Sequence, residues 1–500
     1  MTDARTPILV GVGQLTQRDV EPARALEPVA MMEAAARIAA EDAGAGDRLL
    51  RAVDRVAAVN VFCFPYGNVP RLLAERVGAH PVEELYTTIG GNTPQWLVNV
   101  TAARIAAGEA DVVLLAGAEA MRTLAQARRA RIRLPWGGGD GTPRVLGDSR
   151  DGASPHEVTH GLALPTVVYP LFENAIRARR GWPIDEHRRR LGRLCSRLAA
   201  AAAEHPHAWF RERRSPDEIT TVTTDNRMIA FPYPKLMNAI IEVDQAAAVI
   251  MTSVERARAL GIAPSRWVYL HGAADAHDHW LVSERVDYAS SPAIRAAGRA
   301  ALEAAGMSID DVALFDLYSC FPCAVQIARD MLGIPEEDPR PLTVTGGLPY
   351  FGGPGNNYSM HGIASMCDRL RAAPGTTGLV TALGWYVTKH SIGVYGTTPP
   401  SRPWTMVDAA AIQATIDSER HPALVEEPRG SGTIETYTVV YDRDGAPVRG
   451  VVIGRLDDGR RFLANTPSDR ALLESMTREE AIGRRGLVSR DGETNRFAPS

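Results

Sequence analysis

Surplus charge is the first thing missing from this 500-residue chain. Its 55 Lys and Arg stand against 59 Asp and Glu, a formal net charge of −4. That excludes the strongly basic surface of a nucleic-acid binder. Long apolar runs are missing too: the longest, such as VVLLAGAEAM at 112–121, fall well short of the roughly 20 residues a membrane-crossing helix needs. Cysteine is sparse, with five residues at scattered spacing. An odd, dispersed set fits reduced thiols and a cytoplasmic setting rather than a disulfide framework. The opening MTDARTPILVGVGQ has neither the basic start nor the long apolar stretch of a secretory signal. What remains is an ordinary globular composition, 45% apolar, with chain enough for several domains.

Strands and helices alternate along the first part of the chain. PILVGVGQ (7–14) reads as a buried strand, and LEPVAMMEAAARIAAEDAG (26–44) as a helix with Pro28 in its first turn and Gly44 at its end. DRVAAVNVFCFP (54–65) reads as a strand running into a loop. NVTAARIAAGEADVVLLAGAEAM then gives a helix, a break near Gly108 and a strand from Val112. This alternation implies a mostly parallel, layered α/β domain.

The layout recurs. AIRAAGRAALEAAGMSIDDVALFDLYSCFP (293–322) repeats the order of the earlier segment: an Ala-rich helix ending in Ala-Gly, an acidic residue, then an apolar strand closing on Cys-Phe-Pro. Cys63 and Cys320 stand at equivalent places. The chain reads as two similar βαβ halves in tandem, one at 1–124 and resuming at 241–270, the other at 271–396. Between them, 125–240 reads as a mainly helical cap over a site on the core. A Pro-rich linker at 397–404 leads to 405–500, where alternating strands punctuated by RDG and DDG turns predict a small antiparallel sheet or barrel resembling an OB fold.

These features together resemble the thiolase family, over about residues 5–396. AARIAAGEADVVLLAGAEAM resembles the helix and strand after the thiolase nucleophile. GGLPYFGGPGNNYSMHG (346–362) resembles the Gly-His-Pro loop, and DLYSCFPC the His-Asp-Cys-Phe segment of sterol-carrier-protein thiolases. The resemblance implies a thiolase fold, two βαβαβ halves layered α-β-α-β-α, in a protein handling acyl-CoA thioesters. Coenzyme A would then be substrate or ligand, with no covalently held cofactor, no metal, no nucleic-acid partner and no membrane span. Thiolases usually dimerise through the core; the added domain leaves a monomer equally open.

Thiolase chemistry uses a nucleophilic cysteine, an activating histidine, a second cysteine for proton transfer, and oxyanion holes. By the resemblance, those three side chains fall on Gly91, Gly353 and about Gly384. Ordinary turnover is therefore not expected. Cys320 alone stands where sterol-carrier-type thiolases place a proton-transfer thiol, although Tyr318 and Ser319 replace its His and Asp neighbours. His361 and His390 follow loops that would line the cavity and could supply imidazole chemistry. Tyr318, Tyr350 and Tyr358 flank the same loops and could act as phenol donors. Gly91, Asn92, Gly353 and Asn356 could provide donors to a thioester oxygen, while Lys235 and Asn238 fall where thiolases contact the pantetheine. Cys320 and Cys323 at Cys-x-x-Cys spacing lack the small domain of a redox helix and the further ligands of a zinc site. Cys323, Cys63 and Cys367 read as core residues. Three functions stay open: an acyltransferase around Cys320, His361 and His390; a lyase cleaving 3-hydroxyacyl-CoA by retro-aldol chemistry with tyrosines; or an acyl-CoA binder without turnover.

Overall fold

A computed structural model describes residues 3–500. The core strands follow one another in the order 314–316, 377–384, 389–396, 268–277, 7–16, 244–253, 112–120, 55–58, 83–87, 144–146. Two half-sheets meet in this run, and Ile8↔Tyr269 and Leu9↔Val268 are the pairs that join them. Helices Thr93–Ala106 and Tyr358–Ala372 lie between the halves. Their Leu97, Val98, Met360 and Ile363 share one core with Val249 of the first half and Val380 of the second. Helices Pro28–Asp42 and Pro292–Ala305 cover the outer faces. The result is the α-β-α-β-α layering expected of the thiolase fold.

The alanines of the two outer helices have a shared cause. A Cβ on Gly13 would stand 2.1 Å from the carbonyl oxygen of Ala35 and 2.8 Å from the amide nitrogen of Ala39. A Cβ on Gly272 would meet the Ala301 oxygen and the Ala305 nitrogen at the same two distances. In both halves, strand and helix backbones are in contact, which only glycine facing an alanine stripe allows. The repeat read from the sequence thus has a matching repeat in the packing.

The cap carries helices Pro155–Thr159, Pro165–Arg179, Ile184–Glu204 and Pro216–Thr220. Strand Arg144–Leu146, within the same stretch of sequence, instead adds in parallel to Glu83–Thr87 at the edge of the core sheet. After residues 397–404, which carry no regular element, come helix Ala409–Asp417 and five strands. Those strands, Gly430–Tyr441, Pro447–Leu456, Arg461–Asn465, Arg485–Asp491 and Thr494–Pro499, close in the order first–second–third–fifth–fourth–first. Helix Arg470–Arg478 sits between the third and fourth. This is a small β-barrel of the five-stranded OB-like kind, with one parallel bridge, Asn465↔Arg496, among antiparallel pairs.

The barrel does not hang free. Its first strand pairs with the cap, Val440↔Ala230. Asn174 of the cap donates to the Tyr437 carbonyl at 2.9 Å, and buried Arg177 reaches Glu480 through two bonds of 2.6 and 2.7 Å. Fully buried Arg461 is held by both oxygens of Glu435 at 2.9 Å and donates to the carbonyls of Ser283 and Arg285 in the core.

Candidate active site

Two loops at the carboxyl ends of parallel strands converge under the cap, the usual place for ligand sites in α/β sheets. One joins strand Glu83–Thr87 to helix Thr93–Ala106 and carries Gly90, Gly91 and Asn92. The other joins strand Leu314–Asp316 to helix Pro322–Met331 and carries Tyr318 and Cys320. Both sit against the end of strand Thr377–Gly384.

The first loop is fastened from below. Gly90 N–H donates to Asn356 Oδ1 at 2.8 Å, and Asn356 Nδ2 donates to the Asn60 carbonyl at 3.0 Å. The Ser359 hydroxyl donates to the Gly91 carbonyl at 2.9 Å, while Thr93 donates to the Gly90 carbonyl through both its hydroxyl and its amide. Among the described residues, the amides of Gly91 and Asn92 donate to no protein group. They stand at the positive end of a 14-residue helix, where free N–H groups favour an oxyanion.

Gly91 is glycine because of Tyr318. A Cβ at 91 would lie 2.2 Å from the Tyr318 hydroxyl and 2.6 Å from the Leu383 carbonyl oxygen. The phenol thus fills the space into which any side chain at residue 91 would begin. The hydroxyl has no hydrogen-bond partner among the described residues, and burial holds its pKa far above the ordinary tyrosine value. It therefore remains a protonated donor at any working pH.

Cys320 is buried two residues on. Burial pushes its thiol up to about 12, against a weaker opposing hydrogen bond from Tyr169. Since the thiolate is the reactive form, this sulfur is nearly inert at neutral pH. Cys323 donates weakly to the Tyr169 carbonyl at 3.4 Å, and all five cysteines are free. Tyr169 itself reaches from the cap, stacks on Phe321 with centroids 4.4 Å apart, and donates to the Trp385 carbonyl at 2.7 Å.

The other residues singled out from sequence scatter around this centre. His361 lies in the first turn of the helix Tyr358–Ala372, its Nδ1 2.9 Å from Gln14 Oε1 and its ring against Phe351. Burial, then neighbouring His207 and His205, hold it far below the ordinary histidine value. His390 faces Asp278, 3.4 Å away, on the outer side of its strand. Between it and Tyr318 is a cavity of about 10 Å³, room for about one water. The Tyr350 hydroxyl is buried beside Cys195 of the cap, while Tyr358 bonds Thr345 at 2.7 Å. The Gly353 amide is spent on the Ile240 carbonyl at 2.8 Å. Lys235 is exposed on a short turn, and half-buried Asn238 donates to the Pro234 carbonyl. So the structure brings together Gly91, Asn92, Tyr318, Cys320 and, as a fastener, Asn356. His390 shares the small cavity with Tyr318, while His361, Tyr350, Lys235 and Asn238 lie in other surroundings.

One residue at the centre was not singled out from sequence. Lys389 is 6% exposed, and its Nζ donates to the Ile89 carbonyl at 2.6 Å. A Cβ on Gly90 would meet Nζ at 2.8 Å, and one on Gly384 would meet Cε at 2.9 Å. The amine therefore fills the gap between the two glycines. Asn92 Oδ1, buried without a partner, borders the same points at 2.5 and 2.4 Å. Burial lowers the lysine to about 8, Asp148 opposing and Arg150 assisting. The available signal was a lone cation inside the apolar stretch TALGWYVTKHSIGVYG; the neighbouring histidine drew the attention instead. Alternation along a strand sends residues 389 and 390 to opposite faces, and it is 389 that faces the glycines.

Set against known proteins, these features define a class: a thiolase-like protein with a fused C-terminal barrel. The family model for the additional C-terminal domain of thiolase-like protein type 1 matches residues 411–493. The crystal structure of a monomeric SCP2-thiolase-like protein type 1 from Mycobacterium smegmatis is 40% identical, with 100% of each chain covered and a TM-score of 0.87. The chain belongs to this SCP2-thiolase-like protein type 1 family. An acetyl-CoA acetyltransferase from Syntrophomonas wolfei (18% identity, 79% of this chain and 100% of that one, TM-score 0.57) shares the fold. So does the Ltp2-ChsH2(DUF35) aldolase (19% identity, 78% and 98%, TM-score 0.59). A 3-ketoacyl-CoA thiolase of Erwinia tasmaniensis is 32% identical over 155 residues, 28% of this chain; the match spans about a third (33%) of that relative's length. Among the described residues, no helix is long and apolar enough to cross a membrane.

Proposed function

We propose that the protein cleaves a 3-hydroxyacyl-CoA by retro-aldol chemistry, through the enolate of the thioester and without an acyl-enzyme. The observation that carries this reading is the Tyr318 hydroxyl standing 2.2 Å from where a Cβ of residue 91 would be. The position of the covalent nucleophile is occupied by a hydrogen-bond donor. Together with the free amides of Gly91 and Asn92 it forms a cluster of donors, suited to a thioester oxygen as it gains negative charge. Breaking the C2–C3 bond sends its electrons to that oxygen. Protonation at C2 then gives a shortened acyl-CoA and an aldehyde or ketone. A phenol held this far above its ordinary pKa serves as donor rather than base.

Thiolysis through Cys320 has little support, because its thiol is pushed up to about 12. The thioester reading itself is supported by kinship to proteins named for 3-ketoacyl-CoA and acetyl-CoA. Binding without turnover is favoured by one feature: the cavity beside Tyr318 is only about 10 Å³, so substrate entry requires the surrounding side chains to move. Like its Mycobacterium smegmatis relative, the chain is expected to be monomeric. The test is to supply 3-hydroxyacyl-CoA and 3-oxoacyl-CoA substrates with and without free CoA and record product masses for wild type and Tyr318→Phe. A shortened acyl-CoA plus a carbonyl product, independent of CoA and at least 100-fold slower in the variant, supports the reading. CoA-dependent cleavage of the 3-oxo substrate refutes it.

A further inference from the structure

We propose that Lys389 is the proton carrier of this site: its neutral amine takes the proton of the substrate's 3-hydroxyl group, and the ammonium so formed returns that proton to C2 of the enolate. This rests on the thioester reading above and adds the group that reading lacks, since Tyr318 can donate but not accept. The balance closes on one proton. It leaves oxygen as the C2–C3 bond breaks, the carbonyl forms at C3, and the same proton completes the new C2–H bond.

Three observations carry the assignment. The first is position. Nζ and Cε fill the gap between Gly90 and Gly384, one residue from Gly91, whose neighbour is the Tyr318 hydroxyl. Base and oxyanion donors therefore flank the same dipeptide. The second is an unmet acceptor: Asn92 Oδ1 is buried with no partner beside Lys389 Cε. An ammonium has three donors, and only the Ile89 carbonyl is in use, so a second acceptor at hand accommodates the charged form.

The third is the effort spent in placing this amine. Lys389 follows a four-residue turn in which Trp385 and Val387 take φ of 58° and 57°, a conformation that is an outlier for a β-branched residue. Such strain persists only where the surroundings over-determine it. Here buried Arg285 donates to the carbonyls of Tyr386 and Val387 and to the Thr388 hydroxyl. Tyr169 holds the Trp385 carbonyl, and the Tyr386 hydroxyl donates to Ala163 of the cap. Segment 147–153 closes the outside, with Gly152 against the Trp385 ring and the Asp151 carbonyl accepting from Trp280. Arg150 lies 3.7 Å over the Trp280 ring, whose other neighbour is Lys389 Nζ at 6.0 Å. The charged groups facing the amine are thus Asp148 and Arg150, which offset one another, so burial decides its basicity. A base poised near 8 suits proton transfer at neutral pH.

Return of the proton to C2 has a measurable reverse. Acetyl-CoA, incubated with the protein in D₂O, should take up deuterium at the carbon next to its carbonyl, counted by mass spectrometry. Binding of acetyl-CoA is measured in parallel by calorimetry. Wild-type exchange should rise nearly tenfold per pH unit up to about pH 8 and then level. Lys389→Arg, which keeps the charge but cannot act as a base, should exchange at least 100-fold more slowly while binding within a few fold. In Lys389→Ala, added methylamine should restore part of the rate. Exchange in Lys389→Arg within threefold of wild type overturns the assignment, as does a flat profile through pH 8. Binding without any wild-type exchange overturns it while leaving the thioester reading in place; no binding at all removes both.

Discussion

Replacing Lys389 by methionine should make the protein more stable at neutral pH. The ammonium is held in a buried site where its pKa falls from the ordinary 10.5 to about 8. Each unit of such a shift is worth about 1.4 kcal/mol, so the folded state carries a cost of roughly 3 kcal/mol whenever the lysine is charged in both states. The sign follows from proton counting. Between about pH 8 and 10.5 the unfolded chain holds the proton and the folded chain does not, so wild-type stability rises with pH across that window. It is lost again as pH falls through 8. A methionine side chain has no such dependence and fills a similar volume. The lost bond to Ile89 subtracts about 1 kcal/mol, leaving the Lys389→Met variant ahead by about 2 kcal/mol at pH 7. That advantage should shrink by roughly 1.4 kcal/mol per unit above pH 8. Urea titrations of both proteins at pH 7, 8, 9 and 9.5 measure it directly. A stability difference that stays constant over that range would refute the buried-amine argument, whatever its sign.

The remaining predictions concern packing. Gly91→Cys should not create a thiolase but destabilise the fold by about 1–3 kcal/mol, because the new Cβ meets both the Tyr318 hydroxyl and the Leu383 carbonyl oxygen; adding Tyr318→Ala should recover only part of the loss in a denaturation assay, since the backbone clash remains. Arg461→Ala should cost about 2–4 kcal/mol. It leaves the buried Ser283 and Arg285 carbonyls without their donor, while Glu435 keeps both bonds to Arg455, and the rise in trypsin sensitivity should extend beyond the barrel to the 385–388 turn.

The sequence made the layered core legible because the same physics acts twice. Gly13 and Gly272 each need alanine helices above them, and that requirement writes a repeated alanine pattern readable without coordinates. The barrel was legible through its RDG and DDG turns. The three glycines at 91, 353 and 384 stand out in the sequence only through the resemblance, and what lies beside 91 and 384 could not be read from it. Tyr318 and Lys389 reach that space from loops nearly 230 and 300 positions further along the chain, and only the fold says which side of a strand each faces. His361 and His390 differ in outcome: His390 lines the small cavity beside Tyr318, whereas the helix turns the His361 ring toward Gln14 and Phe351.

The pairing of Val440 with Ala230 joins an insertion in the first half of the chain to an extension at its end. Each covers backbone groups of the other: the Phe231 amide donates to the Val439 carbonyl at 2.8 Å. The cap cannot be lifted from the site as a free lid without pulling on the barrel, and a chain cut in the 397–404 linker would lose closure as well as mass. For anyone moving this barrel onto another scaffold, the portable unit is the barrel with residues 228–234, two pieces of sequence that travel only together.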